Sequence, residues 1–201
     1  MRWDWFGLAS YRRVLADQLA ERERVWAGGD GRVILCEHPP VITLGRSAKP
    51  ENVLDAGPVP VERIDRGGDV TYHGPGQLMV YPVIRLRAGV IDFLERVSRA
   101  LADTCAALGV SGARFQRDPA GVWLDGAKLA ACGIHIARGV SVHGFALDVA
   151  TPVDTWRRIR PCGLDVPQIS LTRARQERSL PPVSVEIVAA ELGPRIVREL
   201  G

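Results

Sequence analysis

The sequence predicts an α+β fold, a mixed β-sheet flanked by helices, built as one domain over residues 1–201. Three observations lead there. Helical and extended patterns follow one another as helix, strands, helix, strands, helix, and this irregular order disfavours a doubly wound parallel sheet. The 201 residues suit a single domain. Hydrophobic residues make up 46% and charged residues 24%, the balance of a chain that buries an ordinary core. The expected arrangement is a sheet covered by helices on one side.

The elements follow in order. Leu8 to Trp26 carries apolar residues at helical spacing, and Gly28–Gly29 stop it. The β-branched run "RVILC" (32–36) is a strand, "EHPP" breaks it, and "VITLG" (41–45) resumes as a second strand. Residues 49–60, rich in Pro, Asn, Asp and Gly, read as loop, and 61–65 as a further strand. Residues 70–73 and 77–84 flank "GPG", which suggests a hairpin. Pro82 lacks an N–H and suits an edge or a bulge. Residues 90–108 form a helix with one apolar stripe, closed by Gly109. Three strands follow in "GVWLDG", "AKLAACGIHIA" and "VSVHGFALDVA", with Asp125–Gly126 marking a tight hairpin. Residues 152–158 suggest a helical turn, and 183–200 a helix interrupted at Gly193–Pro194.

Several function classes drop out early. No apolar run approaches the roughly 18 residues of a membrane span, and Asp4 interrupts any signal-peptide pattern, so the expectation is a cytoplasmic protein with no membrane partner. A net charge of +3 falls short of a nucleic-acid-binding signature but would help an acidic protein dock. The basic run "LTRARQER" (171–178) reads as a solvated loop. "GVWLDGAK" has the outline of a phosphate loop, but Ala127 is one residue too many and Leu129 stands where a Ser or Thr is required. No complete metal-ligand set appears among His38, His73, His135 and His143, so no metal and no cofactor are expected.

Two residues remain as candidate chemistry. Cys162 sits between Pro161 and Gly163, after Arg157, Arg158 and Arg160; nearby positive charge favours a thiolate. Cys36 and Cys105 fall within strand and helix patterns and read as core. Lys128 shares the chain with one other lysine, Lys49, and lies in an otherwise apolar strand; burial moves a lysine toward the range useful for base chemistry. A lysine reaching outward from a strand is the alternative. Spacing does not decide between them.

The segments "CEHPPVITLGR", "RGGDVTYHGPGQLMVYPVI", "GVWLDGAKLAACGIHIARGVSVHGFALDV" and "RPCGLD", taken in order, resemble the lipoyl(octanoyl) transferases of lipoate biosynthesis. The resemblance implies a fold similar to the biotin/lipoate protein ligase catalytic domain. It implies that Cys162 carries the acyl group as a thioester and that Lys128 is its acid/base partner. The acyl pocket would be lined by Arg66, Gly67, Gly68, Asp69, Val70, Thr71, Tyr72 and His73. Ala131, Cys132, Gly133, Gly144, Phe145 and Ala146 would complete it. The implied donor is octanoyl-acyl-carrier protein; the implied acceptors are lipoyl domains of 2-oxoacid dehydrogenase complexes and the glycine-cleavage H protein. Asp148 departs from the family, which commonly has asparagine there, and "QISLT" departs from a common Thr-Ser-Leu. The rival readings are an ATP-dependent lipoate–protein ligase and a non-catalytic acyl- or carrier-binding protein.

Overall fold

A computed structural model of the chain describes residues 1–160 and 166–201. Its centre is a seven-stranded sheet. In chain order the strands are β1 (Arg2–Leu8), β2 (Arg32–Glu37), β6 (Gln77–Val83), β7 (Arg114–Arg117), β8 (Ala120–Leu124), β9 (Ala127–Ala137) and β10 (Val140–Asp148). They lie side by side as β1-β2-β6-β10-β9-β8-β7. Only β1–β2 is parallel; the other neighbours are antiparallel. Strands β3 (Val41–Leu44), β4 (Val61–Arg63) and β5 (Val70–His73) form a separate three-stranded sheet in the order β4-β3-β5.

Helices cover both faces of the large sheet, not one. Helices α2 (Val90–Ala107) and α4 (Val185–Leu200) bury their apolar stripes against Val33, Leu35, Leu78, Val80, Phe145 and Leu147, making the main core. Helix α1 (Tyr11–Trp26) packs on the opposite face, where Val14 meets Ile34, Cys36, Met79, Tyr81 and Ala146. The two clusters follow strand alternation: odd and even positions of each strand point to opposite faces.

Five local expectations change. Helix α1 begins at Tyr11, because residues 2–8 are spent on β1. β1, α1 and β2 form a crossover unit of the kind that parallel strands require. "GPG" does not close a hairpin: β5 and β6 belong to different sheets, and a tight turn, with Gln77 N–H donating to Gly74 O at 3.1 Å, carries the chain between them. Pro82 is central, with β2 on one side and β10 on the other. Its missing donor is tolerated because the Ser141 hydroxyl donates to Pro82 O at 2.6 Å and accepts from Ile84 N–H at 3.3 Å. Helix α4 runs through Gly193–Pro194 without a break. Gly193 faces Trp3 of β1 so closely that a Cβ would lie 2.3 Å from the indole, so the strand anchors the helix at the expected interruption. The basic run forms helix α3 (Leu171–Gln176), capped by Ser170, with Leu171 and Ala174 in the main core. No helix among the described residues is long and apolar enough to cross a membrane.

Candidate active site

A cavity of about 660 Å³, counting its open mouth, lies on the α1 face of the large sheet, against β5 of the small one. That is within the range of small-molecule sites. Strand register explains why it exists. Side chains paired across an antiparallel ladder stand on the same face. Met79 pairs with Ala146, Ala146 with Ala131, and Ala131 with Gly121. Two residues along, Gly144 pairs with Gly133. A patch of alanine and glycine therefore sits in mid-sheet where neighbours carry large side chains, and it leaves a trough. At Gly144 even one methyl is excluded, since a Cβ would lie 1.9 Å from Val80 O.

Arg66, Gly68, Asp69, Val70, Thr71 and His73 line this cavity, as do Lys128, Ala131, Cys132, Gly133, Gly144, Phe145 and Ala146. Thr71 and His73 face it from one side of β5, while Tyr72 turns to the small-sheet core beside Trp156, their rings 6.4 Å apart. Tyr72 and Gly67 are not on its wall. Gly67 instead docks the loop on β9, its N–H donating to Ile134 O at 3.0 Å. Phe145 and Cys132 are paired across β9–β10 and pack with the main core, so they border the cavity mainly through backbone. Burial pushes the Cys132 thiol up to about 12, leaving it protonated at neutral pH. Asp69 is occupied in holding its loop. Its carboxylate accepts from Lys49 N–H at 3.0 Å, from Val70 N–H at 2.7 Å and from Asn52 Nδ2 at 2.6 Å.

Lys128 is buried, 6% exposed, with Nζ 5.4 Å from the Trp123 ring centre, a cation–π contact. Its backbone holds residues 167–169. Lys128 N–H donates to Pro167 O at 2.8 Å, and Ile169 N–H donates to Lys128 O at 3.0 Å. Cys162 lies outside the described residues. Trp156 and Gln168, which precede and follow it in the sequence, both line the cavity.

The sequence reading missed Tyr11, Met79, Tyr81, His143, Trp156 and Gln168 as wall residues. Met79 and Tyr81 share strand parity with Gln77 and were open to that argument. Tyr11 comes from α1, and nothing local marks it. Its ring stacks on His73 with centroids 6.1 Å apart. His38 Nδ1–H donates to Ala9 O at 2.7 Å, so its Nε2 accepts from the Tyr81 hydroxyl at 2.9 Å. His143 takes the left-handed conformation (φ 60°) opposite the Pro82 region, and its N–H donates to buried Gln18 of α1 at 2.8 Å. Burial lowers His38, pushes His73 down to about 3 and, helped by Arg66, pushes His143 down to about 4; all three are neutral at pH 7. The polar end of the cavity thus offers neutral imidazoles and one guanidinium. Arg66 donates to Thr43 O at 2.7 Å, to Thr43 Oγ1 and to Gly67 O at 2.9 Å.

Comparison with known proteins agrees with this architecture. Residues 11–193 match the family model for the lipoyl protein ligase A/B catalytic domain. An octanoyltransferase of Pseudomonas entomophila (strain L48) is 39% identical over 197 residues, covering 96% of this chain and 89% of the relative. An octanoyltransferase of Xanthomonas campestris pv. campestris (strain B100) is 47% identical over 137 residues, or 67% of this chain; the match spans 59% of that relative's length. Among solved structures, protein Ta0514 of T. acidophilum with bound lipoic acid superposes with a TM-score of 0.75 at 16% identity, covering 99% of this chain and 85% of that one. A biotin protein ligase from Aquifex aeolicus in complex with biotin and ATP superposes at 0.56 and 10% identity, covering 99% and 70%. At such identities the structures establish the α+β fold, and the sequence matches establish the family. The chain belongs to the lipoyl protein ligase A/B catalytic domain family.

Proposed function

We propose that the chain is an octanoyltransferase that moves an octanoyl group from a carrier-protein thioester to a lysine amine of a lipoyl domain. The observation that carries the reading is the apolar trough with Lys128 on its wall, bordered by Trp156 and Gln168 on either side of the cysteine segment. The names of the relatives support it. Burying an eight-carbon chain would contribute roughly 5 kcal/mol at about 0.8 kcal/mol per methylene, which suits a trough lined by Ala131 and Ala146.

In this reading Lys128 accepts the Cys162 thiol proton, and the sulfur attacks the donor carbonyl. The carrier thiol leaves with a proton as the enzyme thioester forms. The acceptor amine then attacks that thioester, an amide forms, and Cys162 sulfur leaves and is reprotonated through Lys128. Exchange between thioesters is nearly balanced and amide formation runs downhill, so ATP is not consumed. The proposal includes residues 1–201 as one catalytic domain, a cytoplasmic setting, and as acceptors the lipoyl domains of 2-oxoacid dehydrogenase complexes and the glycine-cleavage H protein.

The test is intact mass after incubation with octanoyl-acyl-carrier protein without ATP. A single octanoyl adduct, absent from Cys162→Ser, is expected; an unchanged wild-type mass would refute the transferase. A second reading, an ATP-dependent ligase, draws on the likeness to Ta0514 with lipoic acid. It predicts modification of a lipoyl domain from free octanoate plus ATP, with Cys162→Ser as active as wild type.

A further inference from the structure

A chain of hydrogen bonds runs behind the cavity wall, through residues that the transfer chemistry does not use. Thr151 Oγ1 donates to Asp148 Oδ1 at 2.7 Å, and Gln77 Nε2 donates to the same oxygen at 2.9 Å. Gln77 Oε1 faces His73 Nδ1 at 2.8 Å, and His73 Nε2 faces the Thr43 hydroxyl at 3.4 Å. Thr43 Oγ1 in turn accepts from Arg66 Nη2 at 2.9 Å. Thr43, His73, Gln77 and Asp148 are at most 5% exposed, so these links are shielded from bulk solvent.

The direction of this chain follows from chemistry at its end. A carboxylate only accepts. Facing Asp148, the Gln77 amide must therefore present its NH₂ group there and its oxygen to His73. An oxygen at that point requires the proton of His73 to sit on Nδ1. Nε2 is left as a lone pair that takes the Thr43 hydroxyl proton, and the Thr43 oxygen is left free to accept from Arg66. Stacking with Tyr11 at 6.1 Å and the edge contact with His38 at 6.4 Å fix the plane of the His73 ring but not the position of its proton. An amide at position 148 would have both an oxygen and an NH₂ to offer Gln77, and would not impose one direction.

We propose that Asp148 is a positioning residue: through Gln77 it holds His73 as the Nδ1–H tautomer and so sets Thr43 and Arg66 at the polar end of the cavity. The proposal rests on the reading of that cavity as the acyl site for its relevance to transfer, but not for its test. Burial, which outweighs the two hydrogen bonds and nearby Lys128, pushes Asp148 up to about 7, so the test is set at pH 8 where the carboxylate is ionised.

The measurement is ¹⁵N NMR of the histidine ring nitrogens of the full chain, with the His73 signals identified by their loss in His73→Gln. In wild type at pH 8, His73 is expected to show a protonated Nδ1 and an unprotonated Nε2. In Gln77→Met, which fills the space without an oxygen, and in Asp148→Ala, the proton is expected to move to Nε2 or to exchange between the two. A wild-type His73 protonated on Nε2 would overturn the proposal, as would an unchanged Nδ1–H in folded Gln77→Met. The wild-type measurement decides even where a variant fails to fold. Octanoyl transfer by the same samples separates the two readings: absent transfer in wild type refutes the proposed function and leaves the tautomer result standing.

Discussion

Replacing Asp148 by asparagine should remove one loss of stability with rising pH, in an amount set by burial. The Asp148 carboxyl is 3% exposed. Burial raises it from the ordinary 3.8 to about 7, with hydrogen bonds from Gln77 and Thr151 and the Lys128 charge acting the other way. For an acid whose pKa is higher in the folded state, the stabilising difference is fully present below the unfolded value and is lost as pH rises through the folded one. Between about pH 4 and 7 the unfolded chain ionises this group while the folded chain does not. At about 1.4 kcal/mol per pKa unit, the loss amounts to roughly 4 kcal/mol by pH 8. The Asp148→Asn variant has no such group. Urea unfolding of both proteins from pH 4.5 to 8.5 measures the effect. His38, His73 and His143, lowered by burial, act in the opposite sense and add stability as pH rises. His73 is neutral when folded over this range whichever ring nitrogen holds its proton, so their contribution is shared by both proteins and the difference isolates position 148. The variant is expected to gain several kcal/mol on wild type across the range, levelling off near pH 8. A constant difference, or one that shrinks as pH rises, would refute the argument.

Other outcomes follow from the same geometry. Gly144→Ala places a methyl 1.9 Å from a backbone oxygen of β6 and is expected to cost about 3 kcal/mol, the upper range for overpacking, read as a lower urea midpoint. Ser141→Ala strips Ile84 N–H and Pro82 O of their hydroxyl partner in mid-sheet and is expected to cost about 1–3 kcal/mol in the same assay. Ala146→Leu fills the trough and is expected to slow adduct formation from octanoyl-carrier protein about tenfold, equivalent to about 1.4 kcal/mol, while sparing an acetyl donor. Equal slowing with both donors would argue that Ala146 does not face the acyl chain.

Much of the site was legible because strands obey a two-residue period. Asp125–Gly126 closes β8 onto β9 with Asp125 (φ 49°) and Gly126 (φ 82°) left-handed, as a two-residue hairpin turn requires. The two-residue period of "VTYH" puts Thr71 and His73 on one face and Val70 and Tyr72 on the other, and Tyr72 packs with Val70 and Ile42. What local patterns do not carry is partnership. β1 is parallel to β2 across a helix, so its strand character depends on a partner distant in sequence. Pro82 departs from the rule against central prolines, and only the fold shows that the Ser141 hydroxyl of β10 bonds Pro82 O and Ile84 N–H beside it. The "GPG" turn looks the same whether the flanking strands pair or enter different sheets, and only the pairing of β5 with β3 decides. Tyr11 reaches the cavity because α1 crosses that face, a fact of packing and not of pattern. Asp148 was visible as a departure from the family, but its link to His73 runs through Gln77 on a neighbouring strand.

The central claim, transfer through an enzyme-bound acyl group, is tested most directly by a chase. Octanoyl-enzyme is formed from octanoyl-acyl-carrier protein, freed of donor, and mixed with a lipoyl domain without ATP while both masses are followed. The account predicts that the octanoyl mass leaves the enzyme and appears on the domain at the same rate, and that no loaded species forms with Cys162→Ser. A loaded enzyme that keeps its acyl group in the presence of the domain, or loading that survives Cys162→Ser, would contradict it.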